Sequence, residues 1–114
     1  MPSDNNSDAQ CDDSCPVRKT ADILEHKWAT LIIRDLLGGK KRYSELAKSL
    51  DGISAKVLSE RLQQLEANGL LTRTVYPTVP PSTEYQLTAL GQKLEVVIQA
   101  MQEFGNQLPE LKHK

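Results

Sequence analysis

The stretch RYSELAKSLDGISAKVLSERLQQLEANGLLTR, Arg42 to Arg73, reads as two short helices with a hard stop between them. Leu46 and Leu50 lie four apart with Tyr43 three before, the spacing of one buried helical face. Asp51-Gly52 ends that segment, because Gly52 can take the left-handed conformation that closes a helix. Ser54 then offers a hydroxyl to the unpaired amides that begin the next helix. This second helix is expected from about Ala55 to Asn68. Its stripe of Leu58, Leu62 and Leu65 lies opposite Lys56, Ser59, Glu60 and Gln63. One wall in a core and one wall of mixed hydrogen-bonding groups is what reading a DNA major groove requires. The same pattern also describes an ordinary solvated helix face, so the helix alone does not decide.

The residues that follow narrow the choice. Asn68-Gly69 is a helix-ending pair, and Leu70 to Tyr76 is rich in β-branched and aromatic residues. Pro77-Thr-Val-Pro-Pro-Ser82 interrupts, after which Thr83 to Leu87 alternates polar and apolar. Two strands joined by a proline-stiffened loop form an antiparallel ribbon whose tip stands out from the body. Leu70 and Leu71 break the alternation of the first strand, so which of its faces turns inward stays open. Helix, turn, helix, ribbon is the order of a winged helix-turn-helix.

A chain of 114 residues fits one domain, and 39% hydrophobic with 25% charged residues is an ordinary soluble composition. No apolar run approaches membrane-spanning length and no basic-then-apolar leader begins the chain, so a cytoplasmic protein without a membrane partner is expected. The formal net charge of −1 looks wrong for a nucleic-acid binder until the charges are placed. Asp4, Asp8, Asp12 and Asp13 all precede Ser14, and setting them aside leaves 11 of the 15 acidic residues against 14 basic ones. Lys40-Lys41-Arg42 sits just before the first helix of the motif, where flanking phosphates would lie, although short basic runs are often plain surface.

Residues 1–13 carry almost no apolar surface and are expected as a flexible acidic tail. Residues 14–108 are expected as the winged domain and 109–114 as a frayed end. Order should begin near Cys15-Pro16, since Pro suits a first helical turn. Val17, Ala21, Leu24, Trp28 and Leu31 then recur at alternating spacings of four and three. One continuous helix, or two broken near Glu25-His26, both fit. Trp28 to Leu37 is the most apolar run and the expected core helix, with Trp28 as a packing anchor. Past the ribbon, Thr88 can cap a final helix on which Leu90, Leu94, Val97, Met101, Phe104, Leu108 and Leu111 form a heptad seam. Gly105 and Pro109 weaken its far end. Such a seam asks for a partner helix, because a domain this small has little core left to cover it.

Enzyme signatures do not assemble. Gly38-Gly39-Lys40 lacks the spacing of a phosphate loop, and His26 and His113 lie far apart. Cys11 and Cys15 have zinc-like spacing, yet a closed site needs four ligands and only His26 could join them. Neither a metal nor another cofactor is expected.

The set Cys15-Pro16-Val17, Lys27-Trp28, Arg42-Tyr43-x-Glu45-Leu46, Ile53-Ser54, Leu58-x-x-Arg61-Leu62, Leu65-Glu66, Gly69-Leu70, Arg73, Val79-Pro80-Pro81, Glu84-Tyr85 and Leu87-Thr88-x-x-Gly91 resembles the HxlR-type transcriptional regulators. The match runs collinearly from about Cys15 to Phe104. It implies a bacterial or archaeal winged-helix regulator related to the MarR family, a dimer built from the first and last helices, and a recognition helix in each major groove. It also implies a redox role for Cys15. The chain departs from the pattern in its extra Cys11, which leaves the pairing of the thiols open, and in Glu25-His26, where small residues often precede the Lys-Trp pair.

The expected architecture is therefore mainly α with a small β-ribbon, a winged helix-turn-helix with N- and C-terminal dimerisation helices. Ser54, Lys56, Ser59 and Gln63 are expected at base edges, and Lys41, Arg42, Ser44 and Arg73 at phosphates. Arg61 lies at the edge of the apolar stripe and either joins them or pairs with Glu45. Val17, Leu24, Leu94, Val97, Met101 and Phe104 are expected at the dimer interface, and the partner is an inverted repeat in double-stranded DNA. The competing expectation is a winged-helix module that docks on protein instead.

Overall fold

The computed structural model describes residues 14–110, so the acidic segment with Cys11 and the end with Leu111 and His113 lie outside the described residues. The chain runs α1 (Pro16–Ile23), α2 (Lys27–Leu36), β1 (Lys41–Arg42), α3 (Tyr43–Ser49), α4 (Ala55–Ala67), β2 (Leu71–Tyr76), β3 (Ser82–Leu87), α5 (Ala89–Gln92) and α6 (Glu95–Gln107).

Of the two arrangements the N-terminal periodicity allowed, the broken one is found. Helix α1 closes with the Leu24 amide bonded to the Thr20 carbonyl at 3.1 Å, and His26, in extended conformation, starts α2 as its N-cap. Between α3 and α4, Gly52 takes φ +94°, and the Ser54 hydroxyl accepts from the Val57 amide at 3.1 Å. Both are the local devices the sequence suggested.

The core gathers Ile32, Ile33 and Leu36 of α2, Leu46 of α3, the full stripe Leu58, Leu62 and Leu65 of α4, then Leu70, Leu71, Tyr85, Leu87 and Ile98. Trp28 packs against its edge, half-buried, with the Lys27 ammonium 4.9 Å above the ring. Burying each such Leu or Ile stabilises the fold by about 1.5–3 kcal/mol relative to exposure, so α2 and α4 are fixed to each other before any partner is considered.

The sheet holds one strand more than the ribbon. In the order β1-β3-β2, β3 pairs antiparallel with β2 from Leu71↔Leu87 to Tyr76↔Ser82, and with β1 through Lys41↔Tyr85 and Arg42↔Glu84. A two-residue strand has no periodicity of its own, which is why Lys41-Arg42 reads only as a basic run in sequence. The register also resolves the inward face of β2: Leu71 faces the core opposite Leu87, and Leu70 is buried just before the strand begins. From Thr72 onward β2 is exposed along its length, so the ribbon does stand out from the body.

The C-terminal seam is corrected in one respect: it is carried by two helices. The Thr88 hydroxyl accepts from the Gly91 amide at 3.1 Å and donates to the Gly69 carbonyl at 2.7 Å, fastening α5 to the turn before β2. The Lys93 and Leu94 amides then make tighter i→i+3 bonds, to Leu90 and Gly91, before α6 begins. Only Ile98 of α6 is buried.

Candidate nucleic-acid interface

The exposed side of α4 carries Lys56, Ser59, Glu60 and Gln63, with Ser54 at its start. The Ser54 oxygen is engaged as the helix cap, which leaves its proton to donate elsewhere. A side chain read in sequence only as part of a buried face joins this group. The Tyr43 hydroxyl donates to the Ala55 carbonyl at 3.3 Å and lies 3.4 Å from the Ser59 hydroxyl, so the first residue of α3 is fastened to the polar side of α4. A tyrosine buries its ring and keeps a polar tip, and a hydroxyl at the first residue of a helix was the signal that could have revealed this bridge.

Arg42, Tyr43 and Ser44 also form one side of a cleft of about 630 Å³ whose other side is the wing tip, Thr78 to Thr83. Polar α4, the start of α3 and the wing thus make one continuous surface. Arg42 is held by its backbone: its amide donates at 2.7 Å to the carboxylate of Glu45, the residue that was one of two alternatives for Arg61. On the outer face of the sheet, Glu84 receives the Tyr76 phenol at 2.8 Å and the Lys40 ammonium at 3.7 Å. The Tyr76 pKa lies above its ordinary value, chiefly because the phenol donates to Glu84, while Arg42 opposes the shift.

Three candidate residues stand apart from this surface. Lys41 and Arg73 are both register partners of Tyr85 and so share the inward-facing side of the sheet. Lys41 is half-buried there, and the Arg73 guanidinium lies 4.0 Å from Glu66 near the end of α4. Arg61 turns away altogether. It lines a cleft between α4 and the α1–α2 turn, with its Nε buried and without a hydrogen-bond partner among the described residues. Leaving a buried donor unpaired costs about 1–3 kcal/mol, and more when the group is charged.

Of the expected dimer positions, Leu24 and Leu94 pack on the edge of their own core, and Val97 is half-buried. Val17, Met101 and Phe104 are 77%, 46% and 65% exposed. Cys15 is the N-cap of α1, half-buried, directly before Pro16.

The model of the HxlR-like helix-turn-helix family matches residues 23–113. This chain belongs to that family. HxlR-like proteins are transcriptional regulators and not enzymes, and the known relatives agree. An uncharacterized HTH-type transcriptional regulator of Synechocystis sp. is 42% identical over 92 residues, covering 81% of this chain and 68% of the relative. The crystal structure of a MarR-family regulator from Porphyromonas gingivalis W83 has a TM-score of 0.82 and 41% identity, covering 86% of this chain and 96% of that one. The redox regulator HypR in its oxidized form has a TM-score of 0.78 and 36% identity, covering 85% of this chain and 100% of HypR. This HxlR-like chain therefore shares its helix order and wing with solved regulators across most of its length. No helix among its described residues is long and apolar enough to cross a membrane.

Proposed function

We propose that the protein is a homodimeric, sequence-specific regulator that binds an inverted repeat in double-stranded DNA, and that oxidation at Cys15 changes this binding. The observation that carries the DNA reading is the Tyr43 bridge to Ala55 and Ser59, which joins the polar side of α4 to Arg42, Ser44 and the wing cleft. With α4 in the major groove, Lys56, Ser59 and Gln63 reach base edges while Arg42 and Ser44 hold phosphates. Binding to random duplex at two salt concentrations tests the electrostatic half, since counterion release demands weaker binding at higher salt. Absence of binding at either concentration would leave α4 and the wing as a protein-docking surface.

The two kinds of contact predict different losses. Arg42→Ala weakens binding about equally on all sequences and lowers the salt slope by about 1. Gln63→Ala alters preference between sites by about 1–3 kcal/mol where the amide makes a bidentate base contact. Competition between operator variants and random duplex distinguishes these outcomes, and unchanged affinity in both variants sinks the docking geometry.

The redox reading is supported by likeness to HypR and by the position of Cys15. At the start of α1, unpaired amides and the helix dipole favour the thiolate. Attack of that thiolate on peroxide forms a sulfenic acid and releases hydroxide. A second thiol, Cys11 of the same chain or a cysteine across the dimer, displaces water from it to form a disulfide. Peroxide or diamide treatment is expected to change operator affinity in the unmodified protein and to leave Cys15→Ser unaffected. An identical response in Cys15→Ser makes the cysteine a bystander.

A further inference from the structure

Two hydroxyls meet on the polar side of α4, and each carries a single proton. The Tyr43 oxygen lies 3.3 Å from the Ala55 carbonyl and 3.4 Å from the Ser59 hydroxyl. A carbonyl oxygen has no proton to give, so the first contact is a hydrogen bond only with Tyr43 donating. That commits the proton of the phenol, and the second contact is then a hydrogen bond only with Ser59 donating. The opposite assignment, Tyr43 donating to Ser59, sets the phenol oxygen against the carbonyl oxygen with no proton between them. It also spends the more acidic hydroxyl on the weaker acceptor. The relay therefore runs from Ser59 to Tyr43 to Ala55, and each link polarises the next. Ser59 is exposed, so its oxygen still faces outward from α4, where it has lone pairs to offer and no proton.

We propose that Tyr43 determines specificity by making Ser59 an acceptor-only reader of one base, which selects adenine or cytosine over guanine or thymine on the strand it faces. This rests on the DNA reading above. In the major groove adenine N6 and cytosine N4 are donor amino groups, whereas guanine N7 and O6 and thymine O4 are acceptors. A free serine hydroxyl, donor and acceptor together, serves either kind. Once its proton is held by Tyr43, a guanine or thymine edge sets lone pairs against lone pairs. Ser54 is the converse case: its oxygen is taken by the Val57 amide at 3.1 Å and its proton is left over. The two serines of α4 thus present opposite polarities, and only that of Ser59 answers to Tyr43.

Selection of bound duplexes from a randomised library by the full chain tests the proposal, with Tyr43→Phe, Ser59→Ala and the double variant run beside the unmodified protein. Phe keeps the ring that packs against the core edge, and a melting curve of each variant checks that it folds. The unmodified protein is expected to favour adenine or cytosine at one half-site position by about three- to tenfold, the worth of one net hydrogen bond. Ser59→Ala identifies that position by flattening its preference alone. Tyr43→Phe is expected to cut the preference there to less than about twofold, because the released proton lets Ser59 meet acceptors as well. The other positions stay as they were, and adding Tyr43→Phe to Ser59→Ala changes nothing further. A tyrosine that merely held α3 to α4 would disturb every position in either background, and that outcome overturns the proposal. So does a Ser59-dependent position that prefers guanine or thymine, or one whose preference survives Tyr43→Phe. When the unmodified protein enriches no sequence, the DNA reading falls and takes this proposal with it; an enriched sequence with no position tied to Ser59 overturns the proposal alone.

Discussion

Gly91→Ala is expected to lower the melting temperature by roughly 10–20 °C, the largest loss from any glycine-to-alanine change in the described residues. A Cβ at position 91 falls 2.1 Å from the Leu70 carbonyl oxygen and 3.0 Å from the Leu87 Cδ2. Real side chains do not approach a backbone oxygen that closely, and the oxygen cannot turn aside, because the Leu70 carbonyl accepts the Thr88 amide at 3.0 Å. The helix must therefore lift. Lifting α5 strains the Thr88–Gly69 bond and uncovers Leu70 and Leu87, both of which belong to the core. Overpacking against movable side chains costs about 1–3 kcal/mol, and a clash with backbone falls at or above the upper end. For a domain of this size each kcal/mol moves the midpoint by about 4–8 °C. Gly105→Ala is the matched control: nothing lies within 4 Å of a Cβ there, and the change removes a helix-weakening glycine from α6. It should be neutral or stabilising by up to about 1 kcal/mol. Circular dichroism melts of the two variants settle the matter, and a Gly91→Ala protein melting with the unmodified chain means α5 does not sit on Leu70.

The parts of this fold that were legible in the chain are those set by local chemistry. The Leu58, Leu62, Leu65 stripe, the Ser54 cap, the Gly52 stop and the proline-stiffened ribbon each depend on residues a few positions apart, and each is where the spacing predicted. What was not legible depends on contacts between distant segments. Strand β1 exists because β3 supplies an edge for it, and α5 parts from α6 because Thr88 is fastened to Gly69. The same division runs through the candidate site. Lys56, Ser59 and Gln63 share one side of one helix, which periodicity reveals. The half-burial of Lys41 and the place of Arg73 on the same side of the sheet, beside Glu66, follow from sheet register, and the departure of Arg61 from the packing of α2 against α4. Tyr43 was legible as an apolar ring and not as a hydroxyl, because its acceptor at Ala55 is twelve residues away.

Met101→Asp is expected to convert the protein to a folded monomer with at least about a hundredfold weaker binding to an inverted repeat. Met101 and Phe104 are 46% and 65% exposed on α6, and Val17 is 77% exposed on α1, so removing their apolar surface takes nothing from the core that holds α2 to α4. The melting temperature at low protein concentration is accordingly expected to change little, which separates loss of a partner from loss of the fold. Beside this row lies a cleft of about 430 Å³ lined by Leu31, Ile98 and Met101 together with Thr30, Arg34 and Gln102, a recess where a second copy's α6 can bury the side chains that the first leaves in water. An aspartate there places a charge in that recess, where Arg34, the cation in its lining, is already held by Asp35 at 3.0 Å, so burying the new carboxylate in the apolar contact costs its desolvation. Two recognition helices must sit about 34 Å apart to read both half-sites together. Separating them forfeits the effective concentration that tethering confers, commonly a factor of about 10²–10⁴ in affinity. Sedimentation equilibrium and titration of a two-half-site duplex measure the two halves of the effect. Unmodified protein that sediments as a monomer at micromolar concentration refutes the dimer, and a Met101→Asp protein that remains dimeric moves the interface elsewhere than α6.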